Sequence, residues 1–252
     1  MNTRSGWRIL FFRLLGILAI AVVLPLVIQA VRIVWFSGRT AYTLQPFTQN
    51  TLAARIRILF IGDSTAVGTG AASNQQSVAG WTGKYWPHIY INNWGENGLR
   101  LVDLVDRFQP VLIMPYRAVI IQIGGNDILR FSDLAEMEKN LTIVIERAQR
   151  IGERVVILHS GNVGLAPVFI WPFDWILTQR TRAVRDLYMR TAKETGAVYI
   201  DLFTERDNDP FFRKDDVPDF YGPDYLHPSG LGYHWWYTRF RQTLDKAYVH
   251  FD

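Results

Sequence analysis

Short, dense apolar runs alternate with longer stretches of helical spacing along most of this chain. Residues 56–61 (Ile-Arg-Ile-Leu-Phe-Ile), 118–123 (Ala-Val-Ile-Ile-Gln-Ile), 154–159 (Arg-Val-Val-Ile-Leu-His) and 197–201 (Ala-Val-Tyr-Ile-Asp) are rich in β-branched residues. Runs of that length and character read as strands buried on both faces. Residues 89–92 add a shorter strand. Helical patterns cover residues 77–85, 99–108, 134–151, 175–195 and 230–248. In the third of these, Met137, Leu141, Val144, Ile145 and Ala148 recur at three- and four-residue intervals, which places them on one face. Strands alternating with helices predict an α/β domain whose mostly parallel sheet is covered on both faces. Such sheets hold ligands beyond the C-terminal ends of their strands. Ser64, residues 93–95, residues 124–127 and Asn162 all follow strands directly, so topology alone gathers them on one rim.

The N-terminal pattern differs. Residues 14–31 form an 18-residue run without charge, nearly enough to cross a bilayer core as a helix. Residues 9–12 and 33–36 extend it if Arg13 and Arg32 snorkel. Arg4, Arg8 and Arg13 precede the run, which favours a cytoplasmic N-terminus and a C-terminal domain across the membrane. A cleaved export signal is the competing reading. Ile28-Gln29-Ala30 makes a poor cleavage site, and the run is longer than a usual signal core. The expected organisation is a membrane anchor over residues 1–36, a linker over 37–54 and a catalytic domain over 55–252.

The 252 residues include no cysteine, which excludes disulfides, thiolate nucleophiles and thiolate metal sites. Several of the arginines behind the net charge of +4 precede the domain. Within it the two signs are interspersed, so the charge suits an anionic membrane surface and not a nucleic acid. No histidine and carboxylate pattern calls for a metal, and no organic cofactor is expected. The glycines around residues 62–70 lack the lysine of a phosphate loop and the spacing of a dinucleotide fingerprint.

Four segments carry candidate chemistry: Gly62-Asp63-Ser64, residues 93–98 (Asn-Trp-Gly-Glu-Asn-Gly), Gly124-Gly125-Asn126-Asp127, and residues 224–228 (Asp-Tyr-Leu-His-Pro). A serine hydroxyl needs a nearby imidazole to accept its proton, and a carboxylate three residues before a histidine can orient the ring. In their order and content these segments resemble the SGNH hydrolases, the GDSL-type esterases and lipases. The resemblance covers roughly residues 56–245. It implies a flavodoxin-like three-layer sandwich preceded here by the transmembrane helix. It also implies Ser64 as nucleophile, His227 as general base and Asp224 as its orienting acid. Oxyanion donors would be the Ser64 and Gly95 N–H groups and the Asn126 side chain. Asp63 and Asp127 read as structural, and His159 as an ordinary polar strand end. Thr65 stands where the family commonly has leucine.

The resemblance implies a serine esterase working through an acyl-enzyme, without metal or cofactor. Its partner would be an ester-containing small molecule, a lipid or lysophospholipid, or an O-acetylated envelope glycan. Acyl transfer from the same site, or a membrane-anchored binding module on the same scaffold, stay open. The apolar segment 164–175 either lines an acyl pocket or covers the sheet. Residues 205–225 read as a long access loop.

Overall fold

Alternate residues of each strand point into one of two separate cores. A computed structural model describes residues 3–39, 43–51, 54–109, 115–211, 220–247, 249 and 251. Five strands, β1 (Arg57–Gly62), β2 (Tyr90–Gly95), β3 (Ala118–Gln122), β4 (Val155–Leu158) and β5 (Val198–Ile200), form one sheet in the order β2-β1-β3-β4-β5. All its pairings are parallel. Leu59, Ile61, Val119, Ile121 and Ile157 face one core, against α4 (Leu101–Arg107), α6 (Leu134–Gln149) and α7 (Phe173–Thr195). Ile58, Phe60, Ile120, Val156 and Leu158 face the other, against α3 (Val78–Tyr85) and α8 (Gly230–Lys246). The period of two along each strand thus builds both layers of a three-layer α/β sandwich.

Two short helices complete the rim: α2 (Ser64–Val67) after β1 and α5 (Gly125–Leu129) after β3. Neither appears in the hydrophobic pattern, because four or five residues carry no helical period. A side-chain cap starts the first and a glycine turn the second. Asp63 Oδ1 accepts the Thr65 N–H at 2.9 Å at the start of α2, while α5 follows Gly124 at a φ of 122°. Strand order reverses between β1 and β3, where sheets of this winding open a crevice. Gly62 is level with Gly95 on one side and Gln122 on the other, so the three strands end together.

The N-terminal helix α1 (Thr3–Ser37) includes Pro25. Its stretch Phe11–Ser37 is long and apolar enough to cross a membrane. Gln49 then pairs with Ile91 through two backbone hydrogen bonds of 3.0 and 2.9 Å. Its side chain donates to Trp86 O and Ile89 O. This part of the expected linker therefore lies along the sheet edge at β2. Residues 40–42 and 52–53 of that linker, and Phe212 of the expected access loop, lie outside the described residues.

Candidate active site

Ser64 is the first residue of α2, two residues beyond the end of β1. Gly62 makes the sharp exit possible. Its φ is 151°, and a Cβ there would lie 1.8 Å from Gln122 O. Asp63 is buried and caps α2 by accepting from the Thr65 N–H and the Thr65 hydroxyl. Thr65, where the family more commonly has leucine, thus helps hold the turn that presents the serine.

From the far end of the chain, residues 220–229 fold back over this rim. Gly222 N–H donates to His227 O at 2.7 Å, and Ser229 N–H to Phe220 O at 2.9 Å. Within this loop Asp224 Oδ1 accepts the N–H groups of Leu226 and His227, both at 3.0 Å. These bonds curl the chain so that Asp224 Oδ2 lies 2.6 Å from His227 Nδ1. The opposite ring nitrogen, Nε2, lies 2.8 Å from Ser64 Oγ. The three side chains are thus aligned carboxylate, imidazole, hydroxyl. With Nδ1 protonated toward the carboxylate, Nε2 is left as the acceptor facing the serine. Gly70 sits directly behind the histidine, and a Cβ there would come within 2.6 Å of His227 Cβ.

A cleft of about 240 Å³ opens over Ser64 and His227 and is also lined by Gly98, Asn126 and Asn162. Leu202, Phe211, Tyr221, Trp235 and Trp236 make its far end apolar. Asn126 Nδ2 donates to Leu99 O at 3.1 Å, which holds the amide at the rim. Its NH₂ group carries a second hydrogen. Asn162 is fixed by Thr178 and the Gly164 N–H, and donates to Thr204 O.

Gly95 differs from expectation. Its N–H donates to Asn93 Oδ1 at 3.0 Å, and the residue packs against Ala66 and Val67. It does not line the cleft. Three residues on, Gly98 does, at a φ of 82° with open space where a Cβ would stand. Among the described residues, the N–H groups of Gly98 and Ser64 donate to no protein acceptor. Asn-Gly at 97–98 is an ordinary turn signal; only the placement of Asn93 shows which glycine amide remains open.

Asp63 and Asp127 are buried next to Ser64 and Asn126 in the chain, and burial raises the carboxyl pKa of both. Asp127 Oδ2 accepts the Leu101 N–H at 3.0 Å, tying the residue 95–101 segment to α5. Among the described residues no three histidine or acidic side chains are grouped to hold a metal. The segment 164–175 serves two ends: Leu165, Ala166 and Val168 are buried, whereas Trp171 and Trp175 are exposed.

In overall shape the chain is similar to a member of the lipolytic protein G-D-S-L family from Veillonella parvula. The TM-score is 0.57 at 21% identity, over 74% of this chain and 97% of that one. A lipase/acylhydrolase from Enterococcus faecalis gives 0.55 at 19% identity, over 76% and 96%. Axe2, an acetylxylan esterase from Geobacillus stearothermophilus, gives 0.51 at 22% identity, over 77% and 96%. Comparison with curated protein sequences gives no match. The profile of the GDSL-like lipase/acylhydrolase family matches residues 60–235, from within β1 to α8. The chain therefore belongs to the GDSL-like lipase/acylhydrolase family, serine hydrolases that cleave carboxylic esters through an acyl-enzyme.

Proposed function

We propose that Ser64 is the nucleophile, His227 the general base and Asp224 the carboxylate that orients the imidazole. The Ser64 and Gly98 N–H groups and the Asn126 amide serve as the oxyanion donors. The observation that carries this reading is the aligned pair of short contacts, 2.8 Å from Ser64 to His227 and 2.6 Å from His227 to Asp224.

In the forward step Ser64 Oγ attacks the ester carbonyl while its proton passes to His227 Nε2. The carbonyl oxygen becomes an alkoxide facing the open N–H groups and the Asn126 amide. Collapse breaks the bond to the leaving alcohol, which takes the proton from His227. Water repeats the sequence on the acyl-enzyme and releases the acid. Asp224 stays ionised throughout and favours the imidazolium formed in each half-reaction.

The substrate in this reading is an acyl ester of a lipid or lysophospholipid. The apolar far end of the cleft and the membrane-length helix α1 support that choice. The protein is a single-pass membrane enzyme with a cytoplasmic N-terminus and its catalytic domain on the opposite side, organised as residues 1–36, 37–54 and 55–252.

The test is turnover of p-nitrophenyl esters from acetyl to palmitoyl by the full chain in detergent. Ser64→Ala should lower every rate by at least about three powers of ten while leaving the folded domain intact by circular dichroism. Preference for acyl chains of about eight carbons or more supports the lipid reading. Preference for acetyl redirects it to O-acetylated glycans. Comparable turnover by the alanine variant removes Ser64 from its assigned role.

A further inference from the structure

Helix α1 does more than lead into the domain; its last turns are bolted to it. Gln29 is only 4% exposed although it belongs to the apolar helix. Its Nε2 donates to Val168 O at 3.2 Å, and its Oε1 accepts the Ile170 N–H at 3.1 Å. Arg32 donates to Val168 O at 3.1 Å and to Pro167 O at 2.6 Å. Phe36 meets the Tyr225 ring edge-on at 4.9 Å. These contacts fix one face of α1 against the segment leading into α7.

On that face, Gln29, Ile33 and Ser37 lie at four-residue intervals and line a cavity of about 390 Å³. Its other walls are mainly apolar, with Phe131, Val168, Phe173 and Ile176 among them. A volume of this size is in the range of small-molecule pockets. Leu129 and Leu226 line both this cavity and the catalytic cleft. Two leucines therefore form a shared wall between the space beside α1 and the space over Ser64.

The position along α1 says what kind of molecule arrives there. With 35 residues, the helix is about 52 Å long at 1.5 Å per residue. A hydrocarbon core is about 30 Å thick. The charge-free stretch ends at Val31, so residues 29–37 run from its end toward the headgroup region. Trp35 near the end of α1, Trp171 just before α7 and Trp175 in its first turn are 64, 75 and 61% exposed, and Phe131, which lines the cavity, is exposed as well. Exposed tryptophans on both elements that meet here, the end of an apolar helix and the start of α7, suit a membrane interface.

We infer that the cavity between α1 and the start of α7 holds the acyl chain of an ester taken directly from the membrane, with the membrane helix itself as one wall of the substrate site. This rests on Ser64 being the nucleophile. The ester carbonyl reaches Ser64 past Leu129 and Leu226, while the chain stays in the cavity and never crosses water.

The test uses the full chain in phospholipid nanodiscs and a dodecyl fluorophosphonate carrying a diazirine at the chain end. Ser64 Oγ forms a bond to phosphorus, fluoride leaves, and the serine proton passes to His227. Irradiation then marks whatever the chain end touches. Adducts on residues 29–37 and 168–177 are expected. Adducts confined to residues 202–211 and 233–236 would place the chain in the far end of the cleft and overturn the inference. Absence of any Ser64-dependent labelling would instead overturn the assignment of the nucleophile. A second measurement fills the cavity from the helix side. Ile33→Trp should lower the ratio of lauroyl to acetyl kcat/KM about tenfold, the effect of losing contact for about two methylenes. An unchanged ratio contradicts the inference.

Discussion

His159 directly follows β4 with its ring wholly enclosed, 4.6 Å from the ring of Tyr188 and 6.4 Å from that of Tyr199. Burial pushes the imidazole down to about 4, with Arg185 adding to the shift and Asp201 opposing it. The unfolded chain takes up this proton below about 6.5; the folded chain refuses it until about pH 4. Stability is therefore lost as pH falls through that window, by up to about 3 kcal/mol. Asp63 and Asp127 act in the opposite sense, since burial makes their carboxyls hold protons more readily in the folded state. Replacing the histidine separates the two. His159→Gln should lose less melting temperature between pH 7 and pH 4.5 than the unaltered protein. Equal losses would mean that another group sets the acid sensitivity. Sequence reading treats His159 as an ordinary strand end because nothing local says that Tyr188 and Tyr199 close over it. The same limit explains Gly95. Ser64, Asn126, Asp224 and His227 stand out by residue type and spacing, but that the Gly95 N–H is taken up by Asn93 while the Gly98 N–H stays open shows only in the fold.

Among the elements, the five strands and the longer helices were legible because each carries a full hydrophobic period. Helices α2 and α5 were not, since a cap and a glycine turn, and not periods, start them. The docking of α1 was also hidden. Gln29 and Arg32 read as ordinary polar interruptions near the end of an apolar run, and their partners are backbone carbonyls about 135 residues away. The docking reaches the catalytic loop, because the Val168 N–H donates to Tyr225 O at 3.1 Å and Tyr225 follows Asp224 at a φ of 53°. Gln29→Leu keeps the side chain's bulk but leaves the Ile170 N–H without its acceptor, at a cost of about 1–3 kcal/mol in local docking. Hydrogen exchange should accelerate at residues 166–172 and 222–227, with β1 and α6 unchanged. Unaltered protection at 222–227 would show that the helix contact and the catalytic loop are independent.

For the molecule as a whole, charge and hydropathy point to one arrangement. Apart from its docked last turns, the Phe11–Ser37 stretch is largely exposed, and arginines precede its charge-free portion at positions 4, 8 and 13. An arginine also stands at position 32, but it is committed to Val168 and Pro167 and so acts as a clamp more than as a topological signal. The remaining imbalance is the ground for proposing a cytoplasmic N-terminus. Full-length protein should stay in the membrane fraction through an alkaline carbonate wash, which strips proteins held only by surface charge. Protease added to right-side-out vesicles should remove a C-terminal epitope and spare an N-terminal one, and inverted vesicles should give the reverse. Release by carbonate would make α1 a surface-lying helix, and the cavity at residues 29–37 would then face headgroups along its whole length. Retention with a protected C-terminus would invert the orientation. The wall formed by α1 would survive that inversion, but it would draw esters from the cytoplasmic leaflet, where the chemistry available to Ser64 is that of the inner lipids and not of the envelope.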